Sequence, residues 1–145
     1  MKQNDGRITM EKKLITYDKD DGLCTPDVGI WAKEKYKILY CFVDILSKGM
    51  KDKMDKRVYI DLFAGAGRAR IRETGQIVGT SATIALSMKH PFDKYILCEK
   101  DEANLKALKE RVQRQFGDRE VVYLHGDSNI LVESIESQIP QTNMR

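Results

Sequence analysis

Cysteine and proline are scarce in this chain, with three of each among 145 residues. Cys24, Cys41 and Cys98 stand far apart, are odd in number and form no C-x-x-C pair, so neither a disulfide framework nor a cysteine zinc site is expected. Free cysteine packs as a small hydrophobe, and buried, inert thiols are the expectation. No apolar run approaches the ~20 residues of a membrane-spanning helix. The opening Met1-Lys2-Gln3-Asn4-Asp5-Gly6 has no apolar core behind its charge, so no secretory leader is read there and the cytoplasm is the expected compartment. An excess of one charge is missing too. With 25 Lys and Arg against 22 Asp and Glu, the net charge of +3 is too mild to name a partner. No Gly-Lys-Ser or Gly-Lys-Thr occurs, which excludes a P-loop, and His90 and His125 stand in no metal-like arrangement.

The length and the 41% hydrophobic content suit one globular domain with its own core. Residues 1–30 are polar, carry the cluster Asp18-Lys19-Asp20-Asp21-Gly22 and the breaker Pro26, and show no period, so they read as a loose arm before a domain over 31–145. From Trp31 onward, Ile38, Leu39, Phe42, Ile45 and Leu46 recur at helical spacing up to Gly49, which predicts an amphipathic helix. Trp31 and Tyr36 can cover a cofactor or stack on a base, but at the same helical spacing they are expected in the core. The mixed-charge run at 51–56 reads as a solvated connector.

Three short β-branched and aromatic runs follow, at 57–64, 94–99 and 120–125. Between the first two, a polar loop bearing Arg68, Arg70 and Arg72 precedes a short helix that Thr80 or Ser81 caps. Between the last two, Asp101 opens a helix with Leu105, Leu108, Val112 and Phe116 on one face and Gly117 at its end. Ile130, Leu131, Ile135 and Ile139 mark a final helix before Pro140. Strands alternating with helices at this spacing predict a parallel sheet.

The chemistry-bearing residues fall at the C-terminal ends of the three predicted strands, the edge where parallel α/β sheets bind ligands. In Asp61-Leu62-Phe63-Ala64-Gly65-Ala66-Gly67, the glycines allow a sharp turn and close approach to a ligand, and Asp61 can accept from an ammonium group or a water. Glu99 ends the second strand, 32 positions after Gly67, where a carboxylate can accept from vicinal ribose hydroxyls. An inserted loop over 68–79 accounts for the excess over the dinucleotide spacing of ~20. Gly126-Asp127-Ser128 ends the third strand and can address an adenine edge. Each signal alone also fits an ordinary turn or strand end. Together they describe a nucleoside pocket.

These three segments resemble the first, second and third motifs of class I S-adenosylmethionine-dependent methyltransferases. More narrowly, Ile30-Trp31-Ala32-Lys33-Glu34-Lys35, Tyr59-Ile60-Asp61-Leu62-Phe63-Ala64-Gly65-Ala66-Gly67-Arg68 and Gly79-Thr80-Ser81-Ala82-Thr83-Ile84-Ala85-Leu86 resemble the three-Cys-motif partner protein family over roughly 31–127. The resemblance implies a Rossmann-like class I methyltransferase fold behind an N-terminal amphipathic helix, with S-adenosylmethionine as cofactor. It implies cofactor contacts at Asp61, Phe63, Ala64, Gly65, Gly67, Glu99, Asp127 and Ser128. In that family the glycine loop lies along the methionine moiety, the strand-end acid holds the ribose and the later aspartate meets the adenine amine. It also implies a neighbouring three-Cys-motif protein as partner, to which the cysteines of the family name belong.

Ala66 stands where such loops often carry proline. No Asn-Pro-Pro or Asp-Pro-Pro segment of the substrate-facing type occurs, so no catalytic residue is named and the methyl acceptor, nucleic acid included, stays open. A sheet of about seven strands is not encoded in 145 residues ending soon after the third strand, and the expectation is an N-terminal piece of a longer protein or a truncated copy that binds without catalysing. A nicotinamide-dependent dehydrogenase shares the fold and the ribose carboxylate, but Gly65-Ala66-Gly67-Arg68-Ala69-Arg70 puts arginine where the third glycine of that fingerprint belongs. Arg68, Arg70 and Arg72 can reach substrate phosphates or form a solvated loop.

Overall fold

The computed structural model describes residues 14–50 and 56–141. Residues 1–13, the start of the expected arm, and 51–55, most of the expected connector, lie outside them. The element order is β1 (Thr16–Tyr17), β2 (Asp27–Val28), α1 (Trp31–Gly49), β3 (Val58–Asp61), β4 (Arg68–Ile71), β5 (Ile77–Gly79), α2 (Ser81–Leu86), β6 (Lys94–Glu99), α3 (Glu102–Phe116), β7 (Val121–His125) and α4 (Val132–Gln138). The architecture is mixed α/β.

The three strands expected from the apolar runs form one parallel sheet in the order β3-β6-β7. Tyr95, Ile96, Leu97 and Cys98 of β6 are all buried, as a central strand covered on both faces requires. Their alternation divides the core in two. Tyr95 and Leu97 pack with Ile84, Leu86, Leu105 and Leu108 under α2 and α3. Ile96 and Cys98 pack with Ile135 of α4 and with Val58, Val122 and Leu131 on the opposite face. The Asp101 carboxylate caps α3 by accepting from Asn104 N–H at 2.9 Å. Thr80 occupies the N-cap position of α2, but neither predicted capping hydroxyl performs that role, because Ser81 Oγ donates to Asp61 instead.

Two expectations change. The segment 68–79 is a β-hairpin, in which β4 and β5 pair antiparallel and bury Ala69, Ile71 and Val78. Residues 14–30 are not loose: β1 pairs with β5 and β2 with β4, completing a second sheet in the order β1-β5-β4-β2. Ion pairs hold this segment where apolar periodicity is missing, with Asp20 on Arg70 at 2.6 Å and Asp21 on Arg111 at 2.8 Å.

Helix α1 forms as expected but faces otherwise. Val43 and Ser47 are buried, and Tyr36, Leu39 and Tyr40 pack on the main core. Ile38, Phe42 and Ile45 are exposed, and Trp31, expected in the core, is 85% exposed. The buried-thiol expectation holds for Cys98 alone, since Cys24 is exposed and Cys41 is half-buried. Among the described residues, no helix is long and apolar enough to cross a membrane.

Candidate functional site

Parallel pairing sets the C-terminal ends of β3, β6 and β7 side by side. Asp61 lies opposite Leu97, and Glu99 opposite His125. Beyond β3, Ala64 N–H donates to Cys98 O at 2.9 Å, which carries the chain along β6 and delivers Gly65 to Glu99. The Gly65 N–H donates to Glu99 Oε2 at 2.7 Å, while Asp101 N–H donates to Glu99 Oε1 at 3.0 Å. Gly126 N–H, beyond β7, donates to the Glu99 carbonyl at 3.0 Å. One residue therefore ties together all three motif loops.

Gly65 and Gly67 adopt φ of 67° and 85°, the left-handed region that favours glycine. Gly67 is also closely packed: a Cβ there lies 3.3 Å from Leu108 and 3.4 Å from Thr83. Its carbonyl accepts from Thr83 Oγ1 at 2.6 Å and from Thr80 N–H at 3.0 Å. Ala64 is fully buried and belongs to the main core. The Asp61 carboxylate accepts from Phe63 N–H at 3.1 Å, Ser81 Oγ at 2.5 Å and Tyr59 OH at 3.4 Å. Burial, and secondarily the Asp61 carboxylate, push the Tyr59 phenol well above its ordinary range, so it remains a donor.

A cleft of about 250 Å³ opens over these strand ends, lined by Leu62, Phe63, Glu99, Lys100, Gly126, Asp127, Ser128 and Asn129. Of the residues singled out from sequence, Phe63, Glu99, Asp127 and Ser128 line it together. Asp61, Ala64, Gly65 and Gly67 do not; they form its support. Phe63 is 79% exposed, an apolar ring offered at the rim. Asp127 Oδ1 accepts from Asn129 N–H at 2.9 Å, which turns the chain toward α4. A groove of about 450 Å³ lined by Ile60, Leu62, Ser128, Asn129, Val132 and Ile135 adjoins the cleft through three shared residues.

Chemically, the cleft offers two carboxylates, one ammonium and an apolar ring, with no candidate nucleophile pair. A carboxylate has about four lone-pair positions, and the two backbone donors on Glu99 leave room for hydroxyl donors from a ligand. Lys100 and Asn129 were not anticipated; their only sequence signal is adjacency to the motif residues. Arg68 and Arg70 are engaged by the 14–30 segment: the Arg68 guanidinium stacks 3.6 Å over the Tyr17 ring, and Arg70 pairs with Asp20. Burial pushes the Cys98 thiol up, away from reactivity. Among the described residues, no cluster of His, Cys, Asp and Glu could hold a metal ion. Comparison of the chain with family models, curated proteins and solved structures finds no match.

Proposed function

We propose that this chain is the cofactor-binding half of a class I S-adenosylmethionine-dependent methyltransferase of the three-Cys-motif partner type, with a Rossmann-like fold. The observation that carries the reading is the Gly65 N–H to Glu99 bond of 2.7 Å, which joins the glycine loop to the strand-end acid, with Asp127 in the same cleft. Acid and glycine loop meet here although 34 positions separate them.

The residues fit the cofactor. Glu99 retains acceptor capacity for a ribose diol and Asp127 offers an acceptor to an exocyclic amine, and these two carboxylates outweigh the single Lys100 ammonium of the cleft in favour of a cation. The cleft falls slightly below the ~300–1,000 Å³ of typical ligand sites, and the adjoining groove extends it. When bound, the cofactor supplies a methyl group on a sulfonium that is already a good leaving group. What the chain must add is alignment. The supported glycine loop and Glu99 suit that task, and no residue here is assigned to acid–base work.

A second reading, a binding or interaction module that does not catalyse, is favoured by the exposed Ile38, Phe42 and Ile45 of α1. Calorimetric titration with S-adenosylmethionine, S-adenosylhomocysteine and NAD, beside Glu99→Ala and Gly65→Arg variants, tests the proposal. Saturable binding of the methionine-derived ligands, lost in both variants and absent with NAD, is expected. A folded chain that binds neither ligand overturns the cofactor site and leaves the module.

A further inference from the structure

We propose that Arg111 is a positioning residue of the glycine loop, through which the segment 21–25 sets the loop's geometry. The part of this inference that concerns ligand affinity rests on the cofactor-site reading above.

Arg111 lies on the apolar face of α3 beside Leu108 and Val112 and is only 4% exposed. An arginine buried among hydrophobic side chains needs every N–H satisfied. Nε and Nη2 grip the two Asp21 carboxylate oxygens, each at 2.8 Å, in a bidentate fork. Nη2 also donates to Thr25 Oγ1 at 2.9 Å. Nη1 donates to Cys24 O at 2.8 Å and to Ala66 O at 2.7 Å. The last contact reaches into the glycine loop. The planar guanidinium cannot turn one edge without turning the others, so the fork on Asp21 fixes the direction of the bond to Ala66.

That bond sets a peptide plane. In a trans peptide the carbonyl and the next N–H point in opposite directions. Holding Ala66 O toward α3 therefore directs the Gly67 N–H away from it. Thr83 Oγ1 holds the next carbonyl, that of Gly67, at 2.6 Å. The two successive peptide planes that flank Gly67 are thus oriented from beneath, at a residue whose own φ preference is permissive. Glycines give the loop its path, and Arg111 and Thr83 restrict its motion along that path.

Hydrogen exchange of the intact chain, read with and without S-adenosylhomocysteine, tests this with Arg111→Lys and Asp21→Asn. Lysine keeps the buried charge but cannot serve the fork and two carbonyls together. Asp21→Asn leaves Ala66 and Arg111 in place and removes the charge that orients Arg111, a charge that Arg68 also faces at 3.4 Å. Both variants are expected to raise exchange at residues 64–67 by about tenfold more than at β6. Both are also expected to weaken S-adenosylhomocysteine about tenfold. A merely structural arginine raises exchange evenly across β6, α3 and the loop, and that outcome overturns the proposal. If the wild-type chain binds no S-adenosylhomocysteine, the cofactor-site reading fails, and loop exchange without ligand still decides the role of Arg111. Should a variant unfold, the other supplies the comparison; loop exchange unchanged in a folded variant also overturns the proposal.

Discussion

Glu99 and Gly65 are joined at 2.7 Å although they belong to different strand–loop units of the parallel sheet. The bond follows from register: Ala64 extends the pairing with β6 past Asp61, and the next amide falls within reach of the carboxylate at the end of β6. The same carboxylate takes the Asp101 amide at the entry to α3.

Replacing Glu99 with alanine is expected to cost S-adenosylhomocysteine affinity by tenfold to about a hundredfold, as hydrogen bonds to a charged group are worth ~1.5–3 kcal/mol. Titration calorimetry measures it. Equal affinity in the variant removes Glu99 from the site.

The two loop glycines are expected to differ in their tolerance of a methyl group. Both pay the left-handed backbone cost of roughly 1–2 kcal/mol on conversion to alanine. At Gly65 the added Cβ meets open space, whereas at Gly67 it lies 3.3 Å from Leu108 and 3.4 Å from Thr83. Urea unfolding should therefore rank Gly67→Ala as the less stable variant. The reverse order contradicts the packing described for Gly67.

Asp21 makes stability depend on acidity. The Arg111 guanidinium, which donates to both Asp21 oxygens, holds this carboxyl well below the usual carboxylate range. A depressed folded-state value means that the contribution is fully present above the unfolded value of ~3.9 and is lost as pH falls toward the folded one. The stability difference between wild type and Asp21→Asn should be constant from neutral pH to about pH 5 and shrink below it. Chemical denaturation across pH 3–7 reads this, and a difference independent of pH in that range contradicts it.

Core and surface of α1 and β6 should separate cleanly. Leu97 is fully buried, and Leu97→Ala is expected to cost ~2–5 kcal/mol. Phe42 is 62% exposed, and Phe42→Ser should remain within about 0.5 kcal/mol of wild type by the same unfolding measurement.

The parallel sheet was legible because its strands are continuous apolar runs ended by glycine or acid, and α3 because Leu105, Leu108 and Val112 repeat on one face. The hairpin was not recognised, since its alternation is carried by Ala69 and Ile71 between arginines that read as loop. Residues 14–30 were unreadable for another reason. Their order rests on charges meeting partners 50 and 90 positions away, and such pairings leave no local period. In α1 the spacing identified a helix but not its packed side, where Ser47 is buried with its hydroxyl bonded to Asp44 O. At the site, the motif residues were visible as types at strand ends, while the division between lining and support depends on pairing register.

The span between Asp21 and Arg111 also bears on the order in which the chain acquires structure. Contacts 90 residues apart form only after a large loop has closed, which slows their formation relative to local turns. On a ribosome adding ~5–20 residues each second, the arm emerges roughly 5–20 s before the helix that receives it. During that interval Asp21 has no Arg111 to meet. The segment around Asp21, made well before α3, is thus among the last to be fixed in place.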